Sequence, residues 1–172
     1  MTVLIGIDPG KSGGIVAIDA DNKVVASTRM PLTLGSKGDL DTSQVRRWLL
    51  ELPETPSLIM LEMLQARPAG KMSTTSAITM GRAHGALEGL LIGLQLPHEL
   101  PQPNAWKKAM GLPRRPAKEA DKRKTDAISL CRRLLPDLDL VPGRCRKPQD
   151  GIAEAGLLAV YARRVFVQGM TL

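Results

Sequence analysis

Apolar and polar positions alternate in short blocks along the first third of the chain and in longer, helix-spaced blocks after it. Residues 3–8 form a brief apolar run closed by Pro-Gly, which predicts a buried strand. Residues 14–19 and 23–30 repeat the pattern, with the turn Asp19-Ala20-Asp21-Asn22 between them. Links this short require antiparallel neighbours, because a parallel crossover needs a dozen or more residues. A Pro/Gly/Ser loop fills 31–40. Asp41, Thr42 and Ser43 then offer N-caps for a helix to about residue 52, with Val45, Trp48, Leu49 and Leu52 on one face. A fourth strand is expected at 57–61, a long helix at 74–94, a short strand at 98–100 and a short helix at 103–110. A basic helix at 118–135 stops at Pro136, and a last helix covers 149–167. Antiparallel strands followed by strand–helix units predict an α/β fold, a mixed five-stranded sheet flanked by helices. With 172 residues and no linker, the expectation is one domain over 1–172.

Composition narrows the chemistry. Apolar residues make up 43%, which argues against disorder, but aromatics only 2%, so base stacking on rings has little to work with. The net charge of +7 is concentrated: residues 105–147 hold 13 basic and 5 acidic side chains, and the remainder is close to neutral. That is the pattern of a polyanion-binding face. Cys131 and Cys145 lack metal-ligand spacing or a disulfide framework. With no signal peptide and no stretch of membrane-spanning length, a cytoplasmic protein without membrane attachment is expected.

The stretch "LIGIDPGKSGGIVAID" resembles a phosphate loop but fails as one. Gly6 stands one residue too close to Gly10-Lys11-Ser12, Pro9 removes a cradle N–H, and Asp8 opposes phosphate. A β-branched strand follows where a helix N-terminus is needed. Asp8 is instead an acid at the end of a core strand, expensive to bury unless paired or metal-bound. Glu62 repeats this at the tail of "SLIMLEM". Asp150 and Glu154 lie four apart on the last helix, so both project from one face. Converging carboxylates suit hard cations, Mg²⁺ or Mn²⁺, and a pair of such ions supports in-line phosphodiester cleavage. Carboxylates beside a basic face read as a metal-dependent nuclease.

The ordered segments "IGIDPGKSGG", "LEMLQARP", "NAWKKAMGL", "DKRKTDAISLCRRLLP" and "KPQDGIAEAGLLAVYARR" together resemble the RuvC-type Holliday junction resolvases of the RNase H-like superfamily, over nearly the whole chain. The resemblance implies an RNase H-like fold and a homodimer that nicks four-way DNA junctions with divalent metal, two ions per site. It maps the catalytic and metal-binding acids onto Asp8, Glu62, Asp150 and Glu154. Asp8 would anchor the ions, Glu62 and Asp150 complete their shells, and Glu154 ligate or orient the water. Lys122 matches the family's lysine in the basic helix. Lys107, Lys108, Lys124, Arg67, Lys71, Arg114 and Arg115 are further DNA-binding candidates. Three features depart from the family. Glu154 stands where many members have Asp, the last two acids lie four apart where the bacterial members have three (a wider spacing that some relatives share), and residues 63–76 lack an aromatic wedge, leaving Met63, Leu64 or Met72. A non-catalytic branched-DNA module, or a nuclease of flaps or RNA–DNA hybrids, are the rival readings.

Gly81, Gly85, Gly89 and Gly93 recur every four residues, and each costs a helix about 1 kcal/mol against Ala. Packing against the sheet is the expected reason, with Ile78, Arg82 and Leu90-Leu91 on the other face for a dimer contact. His84 and His98 are expected to be structural, and Trp106 to anchor its short helix in the core.

Overall fold

The computed structural model describes residues 2–34, 38–65 and 73–169. The apolar run after Val3 forms β1 (Leu4–Asp8), buried on both faces and therefore central. It pairs antiparallel with β2 (Gly14–Ile18), which pairs antiparallel with β3 (Val24–Arg29). Asp41 caps α1 (Thr42–Leu50) by accepting from the Gln44 amide at 3.0 Å, and α1 returns the chain to β4 (Leu58–Leu61), parallel to β1. Ser73 caps α2 (Thr74–Gly93). β5 (His98–Glu99) pairs parallel with β4 and completes a mixed sheet of order β3-β2-β1-β4-β5. α3 (Pro103–Ala109), a 3₁₀ turn at Ala117–Glu119, α4 (Ala120–Leu134) and α5 (Asp150–Gln168) follow. Gly169 stops α5 with φ +68, a left-handed position that suits glycine.

The two-residue period of the strands sorts their side chains to two cores. Ile5, Ile7, Ile15, Ile59 and Leu61 pack with Val45 and Leu49 of α1 and Leu87 and Leu91 of α2. Leu4, Val16, Ile18 and Met60 pack on the other face with Trp106, Ala127 and Cys131, and with α5, which is apolar nearly all round. α5 crosses β1 so closely that a Cβ on Gly6 would overlap the Ala155 carbonyl and the Ala159 amide. Gly156 leaves room for side chains of α4 and of the segment after it, a Cβ there meeting Cys131 Sγ at 3.2 Å and Leu138 Cδ2 at 2.8 Å.

Two expectations fail. A Cβ added to Gly81, Gly85, Gly89 or Gly93 would meet nothing within 4 Å, so these glycines do not serve close packing on the sheet. They share the outward face of α2 with the exposed Ile78 and Arg82, whereas Leu91 is fully buried and cannot belong to an outer contact. The reason is angular: the buried stripe of α2 runs through His84, Leu87 and Leu91, and the glycines fall opposite it. Among the described residues no helix is long and apolar enough to cross a membrane.

Candidate active site

Strand alternation decides where the first two acids point. Asp8 has the parity of Leu4 and Gly6, and Glu62 that of Met60, so both carboxylates lie on the α5 side at the carboxyl ends of β1 and β4. The Glu62 amide donates to the Ile7 carbonyl at 3.0 Å, which holds the two strand ends side by side. Past Asp8 the chain turns tightly, with the Gly10 amide donating to Asp8 Oδ1 at 3.0 Å and the Gly13 amide to the Gly10 carbonyl at 2.8 Å. The start of α5 docks on this turn. Gly13 and Gly151 form a parallel bridge, and a Cβ on Gly151 would lie only 2.5 Å from Gly13 Cα. Glycine at 151 is therefore what lets Asp150 and Glu154 stand beside the Asp8 turn.

Asp8, Glu62 and Glu154 share one electrostatic neighbourhood, and Lys107 of α3 lies within it. The Lys107 ammonium is 2.9 Å from Glu154 Oε2 and 3.5 Å from Glu62 Oε1. Trp106, fully buried, donates from its indole N–H to Glu62 Oε1 at 3.0 Å, and its ring faces the Lys107 charge at 5.1 Å. On the far side of the sheet, His84 is buried with Nε2 3.2 Å from the Glu62 carbonyl oxygen. Asp150 shows a different partnership: one turn before Glu154, it pairs with Lys124 of α4 at 3.3 Å.

Burial pushes the Asp8 carboxyl up to about 7; the Gly10 amide and Lys107 pull it down, and Glu62 and Glu154 push it further up. Burial likewise raises Glu62, against Lys107 and the Trp106 N–H. Lys107 is raised too: burial opposes its charge, and Glu154 and Glu62 outweigh burial. One ammonium thus faces three carboxylates, and the site is short of positive charge. All its donors are hard oxygens, a set that fits a divalent cation such as Mg²⁺ or Mn²⁺. As the side chains stand, no group of three or more His, Cys, Asp and Glu among the described residues is gathered to hold an ion. The Lys107 ammonium instead bridges Glu62 and Glu154.

The basic candidates divide. Lys107 was expected on a DNA face but belongs to the carboxylate centre, because its place on α3 is fixed by the buried Trp106 beside it. Arg115 is tied to Asp126 and Glu119, which raise its proton affinity, and is committed to fixing α4. Lys108, Arg114, Lys122 and Lys124 are exposed, Lys122 with Glu119 at 3.3 Å and Lys124 with Asp150. Arg67, Lys71 and the wedge candidate Met72 lie outside the described residues; Met63 and Leu64 are half-buried. The roles of Trp106 and His84 around Glu62 escaped sequence reading, since nothing in the local pattern places residue 62 between two distant helices.

No family model and no curated protein matches this chain. Solved structures do. T. thermophilus RuvC in complex with Holliday junction substrate is 16% identical, with a TM-score of 0.66 over 98% of this chain and 97% of that one. A second Thermus thermophilus RuvC structure is 18% identical, with a TM-score of 0.61 over the same shares. The mixed five-stranded sheet and its helices are those of the RuvC, RNase H-like fold.

Proposed function

We propose that this chain is a divalent-cation-dependent endonuclease that resolves four-way DNA junctions by paired nicks, working as a homodimer. The observation that supports the reading is the shared electrostatic neighbourhood of Asp8 and Glu62, at the carboxyl ends of two parallel strands, and Glu154, near the start of α5, around a single ammonium. Exposed Lys108, Arg114, Lys122 and Lys124 supply the phosphate-binding charge. Asp8, Glu62 and Glu154 would hold the cation, with Asp150 joining them on release from Lys124. When bound, such an ion supplies an activated water and stabilises the leaving oxygen. The chain's own residues orient it: the Gly10 amide fixes Asp8, and the Trp106 N–H and His84 hold Glu62 from two sides. The neighbouring structure in complex with a Holliday junction favours branched DNA as the substrate class.

One observation favours the rival, a branched-DNA module without catalysis: Lys107 already bridges two of the acids. Incubation with four-way junction, flap, RNA–DNA hybrid and linear duplex, each with Mg²⁺ or Mn²⁺, separates the readings. Symmetric nicks confined to the junction are expected. Binding without nicks at any cation level supports the module, and preferential cutting of flap or hybrid assigns a different nuclease.

A further inference from the structure

A concavity of about 270 Å³ opens at the same end of the sheet, on the face opposite the carboxylates. It is lined by Pro9 and Gly10, next in the chain after Asp8, and by His84, whose ring meets the Glu62 carbonyl. Its walls are apolar, from Met30, Leu40, Leu64 and Met80. Lys11, Asp39 and Arg82 also line it, Lys11 standing 3.7 Å from Asp39. Apolar walls bordered by two cations, one of them paired with an acid, suit a flat, uncharged ring joined to a phosphate. The volume is at the low end of small-molecule sites, roughly a few hundred Å³, so it admits one or two rings and no duplex. Methionine and leucine offer adaptable surfaces to a ring face where the chain has few aromatics to stack.

We propose that this cavity receives a single unstacked nucleobase of the strand whose phosphate lies at the Asp8–Glu62–Glu154 centre. The inference rests on reading the chain as a nucleic-acid phosphodiesterase. The two sites adjoin at the Asp8–Gly10 turn, and His84, which lines the cavity, touches the Glu62 carbonyl, so one strand passing over the ends of β1 and β4 reaches both. Extrusion is least costly where pairing is already disturbed, as at a branch point. The cavity would then give the protein its base preference around the cut.

The experiment places 2-aminopurine, one position at a time, at the nucleotides flanking the branch of a four-way junction. Fluorescence is read with the full chain and no divalent cation. A severalfold rise at one position is expected. Ala83→Phe and Ala86→Phe, two lining positions on α2 away from the carboxylates, fill the cavity and should each abolish that rise while junction affinity changes little. Circular dichroism checks that they fold, and either variant alone suffices. The proposal is overturned if no position brightens, or if the rise survives a filled cavity. Variants that alter sedimentation, with no brightening in the wild type, would instead assign the cavity to a contact with a second copy. Absence of nicks with Mg²⁺ or Mn²⁺ while the rise persists would sink the nuclease reading and leave the base site standing.

Discussion

Replacing Asp8 by Asn should stabilise the metal-free protein above neutral pH while removing its activity. Burial raises the Asp8 carboxyl from 3.8 to about 7, so the folded chain holds a proton that the unfolded chain has released across that interval. The stability this contributes is fully present below the lower value and is lost as pH rises through the upper one. At about 1.4 kcal/mol per unit, an ionised Asp8 costs the fold about 4 kcal/mol above neutrality, an order-of-magnitude figure. Asparagine keeps an oxygen for the Gly10 amide, avoids that cost, and gives up only the attraction to Lys107. For a chain of this length, that is a gain on the order of 10 °C in Tm. Thermal unfolding with chelator across a pH series reads it. Wild type and Asp8→Asn should coincide near pH 4 and diverge by pH 8. Glu62 is shifted in the same direction, so the variant's own pH slope flattens without vanishing. A wild type that gains stability from pH 5 to pH 8, or a variant less stable at pH 8, would refute this electrostatic account.

Gly6→Ala should cost about 3 kcal/mol or more, because its Cβ meets α5 backbone rather than a yielding side chain; urea unfolding checks it, and an unchanged midpoint would disprove the close crossing. Lys107→Met leaves Glu62 and Glu154 without their ammonium and should lower stability at pH 8 by about 2 kcal/mol, between the figures for exposed and buried pairs, with a smaller loss at pH 4, where the Glu62 carboxyl, raised by burial, carries a proton. Lys122→Gln should weaken junction binding uniformly across sequences and reduce the slope of log affinity against log salt by about 1, measured by anisotropy over a salt series; an unchanged slope removes Lys122 from the DNA face.

Much of this architecture can be read from the residues because its rules are local. The antiparallel order of the first three strands follows from link lengths alone, and Asp8 and Glu62 at strand tails follow from apolar runs that end in an acid. The i, i+4 spacing of Asp150 and Glu154 sets them one turn apart at the start of one helix, and both lie in the first residues of α5. What escaped depends on contacts between distant elements. The dense glycines of α2 suggest close packing, yet only the tertiary position of the helix decides which stripe is buried, and it buries His84, Leu87 and Leu91. Lys107 and Lys108 are indistinguishable as neighbouring basic residues. The burial of Trp106 turns one into the carboxylate centre and leaves the other exposed. Asp150 belongs with Glu154 by spacing but leans to Lys124, a partner that α4 supplies from elsewhere in the chain.

The central claim is that Asp8, Glu62 and Glu154 form one seat for a divalent cation, and anomalous X-ray diffraction from crystals grown with Mn²⁺ tests it most directly. The account predicts a peak within coordination distance of all three carboxylates, with the Lys107 ammonium drawn away from Glu62 and Glu154. A crystal saturated with Mn²⁺ that shows no peak there, and Lys107 still bridging the two glutamates, would contradict it.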